Sequence, residues 1–86
     1  MSGNFGPQIR KLIYPIQFDA DPSQPAVVDR VLQQVRARDS DGSESLRAIR
    51  EALESHESLS GLIPQPHSEE VIRDYLGEVQ KRLQDG

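Results

Sequence analysis

The 86-residue chain contains no cysteine and no tryptophan. Without thiols it has no disulfide, no thiolate metal site and no cysteine nucleophile. Its six glycines are scattered rather than grouped in a phosphate-binding loop, and none of its serines lies in a Gly-x-Ser-x-Gly turn. We therefore expect a protein that is not an enzyme and that uses no cofactor.

Long apolar runs are also missing. No segment approaches the roughly 18 apolar residues that a membrane-spanning helix requires, and the N-terminus lacks the basic start and apolar stretch of a secretory signal. We expect a soluble, cytoplasmic protein with no membrane partner. The length suits one domain, and we divide it into a flexible N-terminus over residues 1–8 and a single helical domain over residues 9–86.

Acidic side chains outnumber basic ones by 14 to 10, and the imbalance is local. Residues 39–70 carry eight carboxylates and only two arginines, a net charge of −6, whereas the rest of the chain is at +2. A focused negative field attracts basic surfaces and repels nucleic acid. The sequence thus predicts a basic protein partner and no nucleic acid. A modest basic patch could still form on the opposite side of the molecule. Its members would be Arg10, Lys11, Arg30, Arg36 and Arg38.

The segment from Ile9 to Phe18 has apolar residues at alternate positions. This period of two predicts an extended strand or arm over residues 9–18. Pro15 has no N–H to donate, so the strand cannot be a central one. A lone strand would either pair with a second copy of itself in a homodimer or lie across the helices, and we favour the second arrangement.

Three later segments have the periodicity of helices, over about 25–38, 43–56 and 68–84. Pro25 suits a first turn, and Ser43 and Ser68 suit N-caps. Residues 59–66 combine three apolar side chains with Gly61 and two prolines, which indicates a short helical turn or a packed loop. We predict a mainly α fold, a small three- to four-helix bundle with an extended N-terminal strand or arm. The predicted apolar faces are Val27, Val28, Val31, Leu32 and Val35, then Leu46, Ile49, Ala52 and Leu53, and finally Val71, Ile72, Tyr75, Leu76, Val79 and Leu83.

Two histidines flank the proline-rich loop. His56 and His67 lie near Glu57, Glu69 and Glu70, so folding of the loop could create a metal site or an acid–base pair. Their spacing matches no known ligand motif. We favour a simpler interpretation, in which His56 ends a helix and His67 precedes a helix cap, and we predict no metal.

A short motif follows the second predicted helix. It reads Leu53-x-x-His56-x-x-x-Ser60-x-Leu62-Ile63-x-x-Pro66. This resembles the nuclease colicin and pyocin immunity proteins, in which a similar His-containing turn leads into Ser-Asp-Leu-Ile-Tyr-Tyr-Pro and then into a serine-capped helix. The resemblance runs without gaps over residues 22–66, mostly as a pattern, and reaches the last helix only if the preceding loop is shortened. The N-terminal segment has no counterpart.

The resemblance implies a distorted four-helix bundle that binds a bacterial DNase or rRNase toxin and blocks it without contacting its catalytic residues. By position, Glu51 matches an acidic residue of that family that faces the toxin, with Glu44 and Glu54 as neighbours in the same role. The paired tyrosines of the family are replaced here by Pro64 and Gln65, and its aspartate before Leu-Ile by Gly61. Aromatic anchors usually dominate interface energetics, so binding here would be achieved differently.

We therefore predict an inhibitory protein-binding module, such as a bacterial immunity protein or antitoxin that neutralises a basic toxin. An alternative is a small regulatory or structural homodimer assembled through the N-terminal strand. A third is a small metal-dependent enzyme built on His56 and His67. The predicted partner-binding residues are Glu44, Glu51, Glu54, Glu57, Leu62 and Ile63.

Overall fold

A computed structural model describes residues 5–19, 21–38 and 42–85, and within them the chain is mainly helical. It forms the helices α1 (Gly6–Ile13), α2 (Pro25–Arg38), α3 (Ser43–Glu54) and α4 (Glu69–Asp85), with a 3-10 turn over Tyr14–Ile16. The mainly α prediction is confirmed. The helices expected at about 25–38, 43–56 and 68–84 correspond to α2, α3 and α4, and α3 ends two residues early.

The predicted N-terminal strand is wrong, because residues 9–16 lie in α1 and the 3-10 turn. Ile9, Leu12, Ile13 and Ile16 are spaced at i, i+3, i+4 and i+7, and all are fully buried. The apparent period of two included Tyr14 and Phe18, whose side chains are exposed in the structure. No strand occurs among the described residues, so a homodimer paired through strands loses its basis.

The predicted flexible N-terminus over residues 1–8 is also partly wrong. Phe5 is only 3% exposed and belongs to the hydrophobic core. α1 begins at Gly6, with Pro7 in its first turn, where a missing N–H costs nothing. Residues 1–4 lie outside the described part of the chain.

Side chains from the α4 region satisfy the carbonyl groups at the end of the N-terminal helical segment. The Tyr75 hydroxyl donates a hydrogen bond to the Leu12 carbonyl at 2.6 Å. His67 Nε2 lies 3.0 Å from the Ile16 carbonyl oxygen. The Ile16 carbonyl also accepts a hydrogen bond from the Asp19 N–H at 3.1 Å, and the two side-chain contacts fix the N-terminal segment against α4 and the loop before it.

α3 packs against α1 and α4, and α2 packs against α4. α4 therefore lies between α2 and α3, and its predicted apolar face is confirmed, with Val71 partly exposed. The buried face of α3 differs from the prediction. Its centre is Ser45, Ala48, Ile49 and Ala52, while Leu46 and Leu53 are only partly buried, because the small side chains allow close approach to α1 and α4. The core contains Phe5, Ile9, Leu12, Ile13, Ile16, Val28, Val31, Leu32, Val35, Ala48, Ile49, Ala52, Leu59, Ile72, Tyr75, Leu76, Val79 and Leu83.

The predicted helix caps have different outcomes. Ser68 caps α4, since its Oγ accepts a hydrogen bond from the Val71 N–H at 3.3 Å. Ser43 is not a cap but the first residue of α3, and Gly42 occupies the N-cap position. Gly42 has φ +72°, and a Cβ there would lie 2.8 Å from Leu83 Cδ2. The chain needs glycine at this entry because a side chain would strain the backbone and crowd α4.

Candidate partner-binding surface

The four predicted glutamates form a surface on and after α3 that we name the acidic face: Glu44, Glu51, Glu54 and Glu57. All four are exposed. The first three are spaced by seven and three residues, which places them along one side of the helix. Glu57 lies in the loop three residues after α3 ends. The structure therefore brings the helical members onto one solvent-facing stripe.

Two arginines lie within the same exposed side of α3. Arg47 falls between Glu44 and Glu51 at helical spacing, and Arg50 lies one turn before Glu54. Within residues 5–19, 21–38 and 42–85 no ion pair involves Glu51, Glu54 or Glu57. These three carboxylates are not neutralised by ion pairs within the described residues, but the two guanidinium groups halve the net charge of the acidic face.

The aliphatic members of the predicted site lie in the loop between α3 and α4. Leu62 and Ile63 are partly buried and pack against the core. The Leu62 N–H donates to the Leu59 carbonyl at 3.2 Å, which confirms the expectation of a packed turn here. Leu62 and Glu57 also line one cleft of about 490 Å³, whose other walls are Phe5, Gly6, Pro7, Arg10 and Ser58. Ile63 does not line this cleft.

The Glu69 carboxylate, at the start of α4, holds the loop in place. It accepts hydrogen bonds from the Leu59 N–H at 3.0 Å and the Ser60 N–H at 2.9 Å. The Ser58 hydroxyl donates to the same carboxylate at 3.3 Å. The loop backbone is thus fixed where its apolar side chains turn toward the core and the cleft. The sequence alone indicates for Glu69 only a place near the two histidines and not this role in holding the loop.

Arg73 also holds the loop, because it binds the end of α3. We name Glu69 and Arg73 together the Glu69 clamp. Its Nε donates to Glu69 at 2.8 Å. Its other nitrogens donate to the carbonyls of Leu53 at 3.3 Å, Ser55 at 3.1 Å and Glu57 at 3.0 Å. The four-residue spacing of Glu69 and Arg73 was visible in the sequence, but the long-range carbonyl partners were not.

Gln65 occupies the position of one of the family's tyrosines in the resemblance, and its side chain is used inside the loop. Nε2 donates to the carbonyls of Ser60 and His67, each at 3.0 Å. Oε1 accepts from the His67 N–H at 2.7 Å. Because all these bonds are internal, Gln65 stabilises the loop rather than projecting as an anchor.

The two histidines have different surroundings. The His67 ring contacts the Ile16 carbonyl, and His56 is exposed in the loop after α3. In the described part of the chain there is no group of three or more His, Cys, Asp or Glu side chains that could hold a metal ion.

The Glu69 clamp predicts how stability changes in acid. Burial raises the pKa of Glu69, but hydrogen bonds from Ser60, Leu59 and Arg73 outweigh it and lower the pKa from 4.5 to about 2. A depressed pKa contributes stability above pH 4.5 that is lost as the pH falls toward 2. Between these values the urea midpoint of the wild type should fall more steeply with pH than that of Glu69→Gln. Parallel curves would contradict the assignment.

Comparison of the chain with protein-family models, with curated proteins and with solved structures finds no match. The similarity to immunity proteins stays a prediction made from the residues between Leu53 and Pro66. Over residues 5–19, 21–38 and 42–85, no helix is long and apolar enough to cross a membrane.

Proposed function

We propose that this protein is a cytoplasmic inhibitory binding module that docks its acidic face on a basic protein surface, in the manner of a bacterial immunity protein or antitoxin. One observation carries the proposal. Glu51 and Glu54 are exposed on α3 and have no ion pair among the described residues, and they lead directly into an aliphatic loop that Glu69 and Arg73 hold fixed. Charge and a fixed apolar loop are thus contiguous at the end of one helix.

The fixed loop matters because ordering a mobile loop on binding costs free energy. Hydrogen bonds from α4 and Gln65 already hold this loop in a single arrangement. The exposed carboxylates contribute in another way, since charges of one sign steer an oppositely charged partner and speed its encounter. Together they favour rapid, salt-sensitive association with a cationic protein.

This chain has Pro64 and Gln65 where the immunity proteins have their paired tyrosines. In place of those tyrosines, the cleft beside Glu57 anchors the partner. Its apolar walls include Phe5, Pro7 and Leu62, and Glu57 lies on the same cleft. A lysine or arginine of the partner fits this chemistry, because its aliphatic stem is apolar and its head is cationic. Arg10 lines the same cleft but forms no ion pair with Glu57 among the described residues, so the Glu57 carboxylate can pair with the partner's cation.

Neutralising the helical carboxylates should weaken partner binding. We expect Glu51→Gln/Glu54→Gln to bind about tenfold to a hundredfold less tightly, since the two lost charge pairs together contribute about 1.4–2.8 kcal/mol. The matched control is Asp74→Asn/Asp85→Asn, which removes the same charge from exposed positions on α4 and should bind as the wild type does. The measurement is capture of proteins from a lysate of the source organism by each immobilised variant, across a salt series.

A captured protein must then be tested for inhibition. The proposal expects a basic protein whose toxicity in a bacterial host is relieved by co-expression of the wild type and less well by the α3 variant. An acidic partner, binding that salt leaves unchanged, or equal loss in both variants would exclude the acidic face as the docking surface.

A further inference from the structure

A second surface, on another part of the bundle, has the opposite charge. α1 and the 3-10 turn are separated from α2 by an open cleft of about 520 Å³. We name it the basic cleft, and its walls are Lys11, Tyr14, Pro15, Arg30, Gln34 and Arg38. Among the residues that the structure describes, the charged side chains that line the basic cleft are all cations.

Helical spacing builds the two walls. Lys11 and Tyr14 are one turn apart on the N-terminal segment and line the cleft, whereas Phe18 lies outside the cleft walls, two residues after the end of the 3-10 turn. On α2, Arg30, Gln34 and Arg38 are four residues apart and form one stripe. Tyr14 is 68% exposed and Phe18 is 92% exposed, and they are the exposed large apolar side chains of the described chain. One wall is therefore aromatic and basic, and the other is polar and basic.

The cations of the basic cleft differ in what they bind. Arg30 pairs with Asp19 and donates to the Pro15 carbonyl at 3.3 Å, so it joins the two walls. Among the described residues no ion pair involves Lys11 or Arg38. These two exposed cations, at one aromatic wall and at the end of α2, are placed to receive negative groups from outside.

We propose that the basic cleft binds an acidic, extended segment of a protein partner. Carboxylates of the segment pair with Lys11 and Arg38, and its apolar side chains lie against Tyr14 and Phe18. The α2 wall of the cleft runs for eight residue steps from Arg30 to Arg38, a length of about 12 Å. About four residues of extended chain span this length. The segment is short, and its recognition needs both charge and an apolar group.

Charge selects this occupant over two others. In a two-fold homodimer through the cleft, Lys11 and Arg38 would face the same set of cations on the other copy, and like charges oppose that association. Nucleic acid binding draws its affinity from many phosphate contacts. The cleft offers only two unpaired cations on a protein of net charge −4. An acidic protein segment needs fewer ionic contacts, since the aromatic side chains contribute the rest.

The basic cleft shares no residue with the acidic face, so the two proposals can be tested separately. The probe is a fluorescein-labelled peptide of repeating Glu-Glu-Leu-Phe units, and its binding to the full-length protein is followed by fluorescence anisotropy. We expect saturable binding that weakens as salt is added. Lys11→Gln/Arg38→Gln should bind about tenfold more weakly, as expected for the loss of two exposed ion pairs.

The control Arg47→Gln/Lys81→Gln removes the same charge at exposed sites elsewhere and should retain wild-type affinity. Phe18→Ser should weaken binding without changing its salt dependence, which separates the aromatic contribution from the ionic one. Equal losses in both charge variants, no effect of Phe18→Ser, or preferential binding of an oligothymidylate probe over the peptide would each overturn the proposal.

Discussion

Arg73→Ala is expected to lower the free energy of unfolding by about 3 kcal/mol, because a hydrogen bond to a charged group contributes roughly 1.5–3 kcal/mol and Arg73 makes several. Its guanidinium binds the carbonyls of Leu53, Ser55 and Glu57 as well as the Glu69 carboxylate. Only 27% of the side chain is exposed. Removing it leaves the end of α3 and the loop with partly buried acceptors that water replaces poorly.

Arg82→Ala is the matched control, since it deletes the same side chain from the same helix. Arg82 pairs with Asp29 at 2.8 Å, but both groups are substantially exposed. Such surface pairs contribute about 0–1 kcal/mol. Urea unfolding followed by circular dichroism should therefore separate the two variants clearly. Equal destabilisation would mean that the carbonyl contacts of Arg73 do not hold the loop.

The helices α2 and α4 were predictable because their patterns are local. Pro25, Ser68 and the apolar residues of α4 fix the starts and the buried face within a few turns. The N-terminal helical segment was not predictable, because its apolar residues fit both a period of two and the period of a helix. Leu12 and Ile16 suit a strand and a helix equally well. Their carbonyls contact the side chains of Tyr75 and His67, which lie more than 50 residues away in the chain and are not visible to a local pattern.

The candidate site likewise has features that could be predicted from the sequence and features that could not. Exposure of Glu51 and Glu54 follows from their places on an amphipathic helix, so it could be predicted. The clamp that fixes the loop could not, since Glu69 and Arg73 bind backbone groups up to 20 residues away. The pairing of Tyr14 with the arginines of α2 in one cleft was equally hidden, because it depends on the tertiary position of α1.

Tyr75→Phe should destabilise the fold by about 2 kcal/mol, since it removes a buried hydrogen bond and leaves the Leu12 carbonyl without its donor. The Tyr75 side chain is fully buried, and its hydroxyl lies 2.6 Å from that carbonyl oxygen. Tyr14→Phe removes the same hydroxyl from a side chain that is 68% exposed and should change stability by less than about 0.5 kcal/mol. Urea unfolding of both variants makes the comparison.

Alkaline titration tests the same contact independently. Burial raises the pKa of the Tyr75 phenol above its ordinary value of 10.0. Above that pH the unfolded chain binds fewer protons than the native one, so this phenol makes stability fall as the pH rises. In Tyr14→Phe, which leaves Tyr75 as the single tyrosine, phenolate absorbance should appear only together with the loss of helical circular dichroism. Ionisation of Tyr75 in a chain that is still helical would show that its hydroxyl is open to water and does not hold α1 against α4.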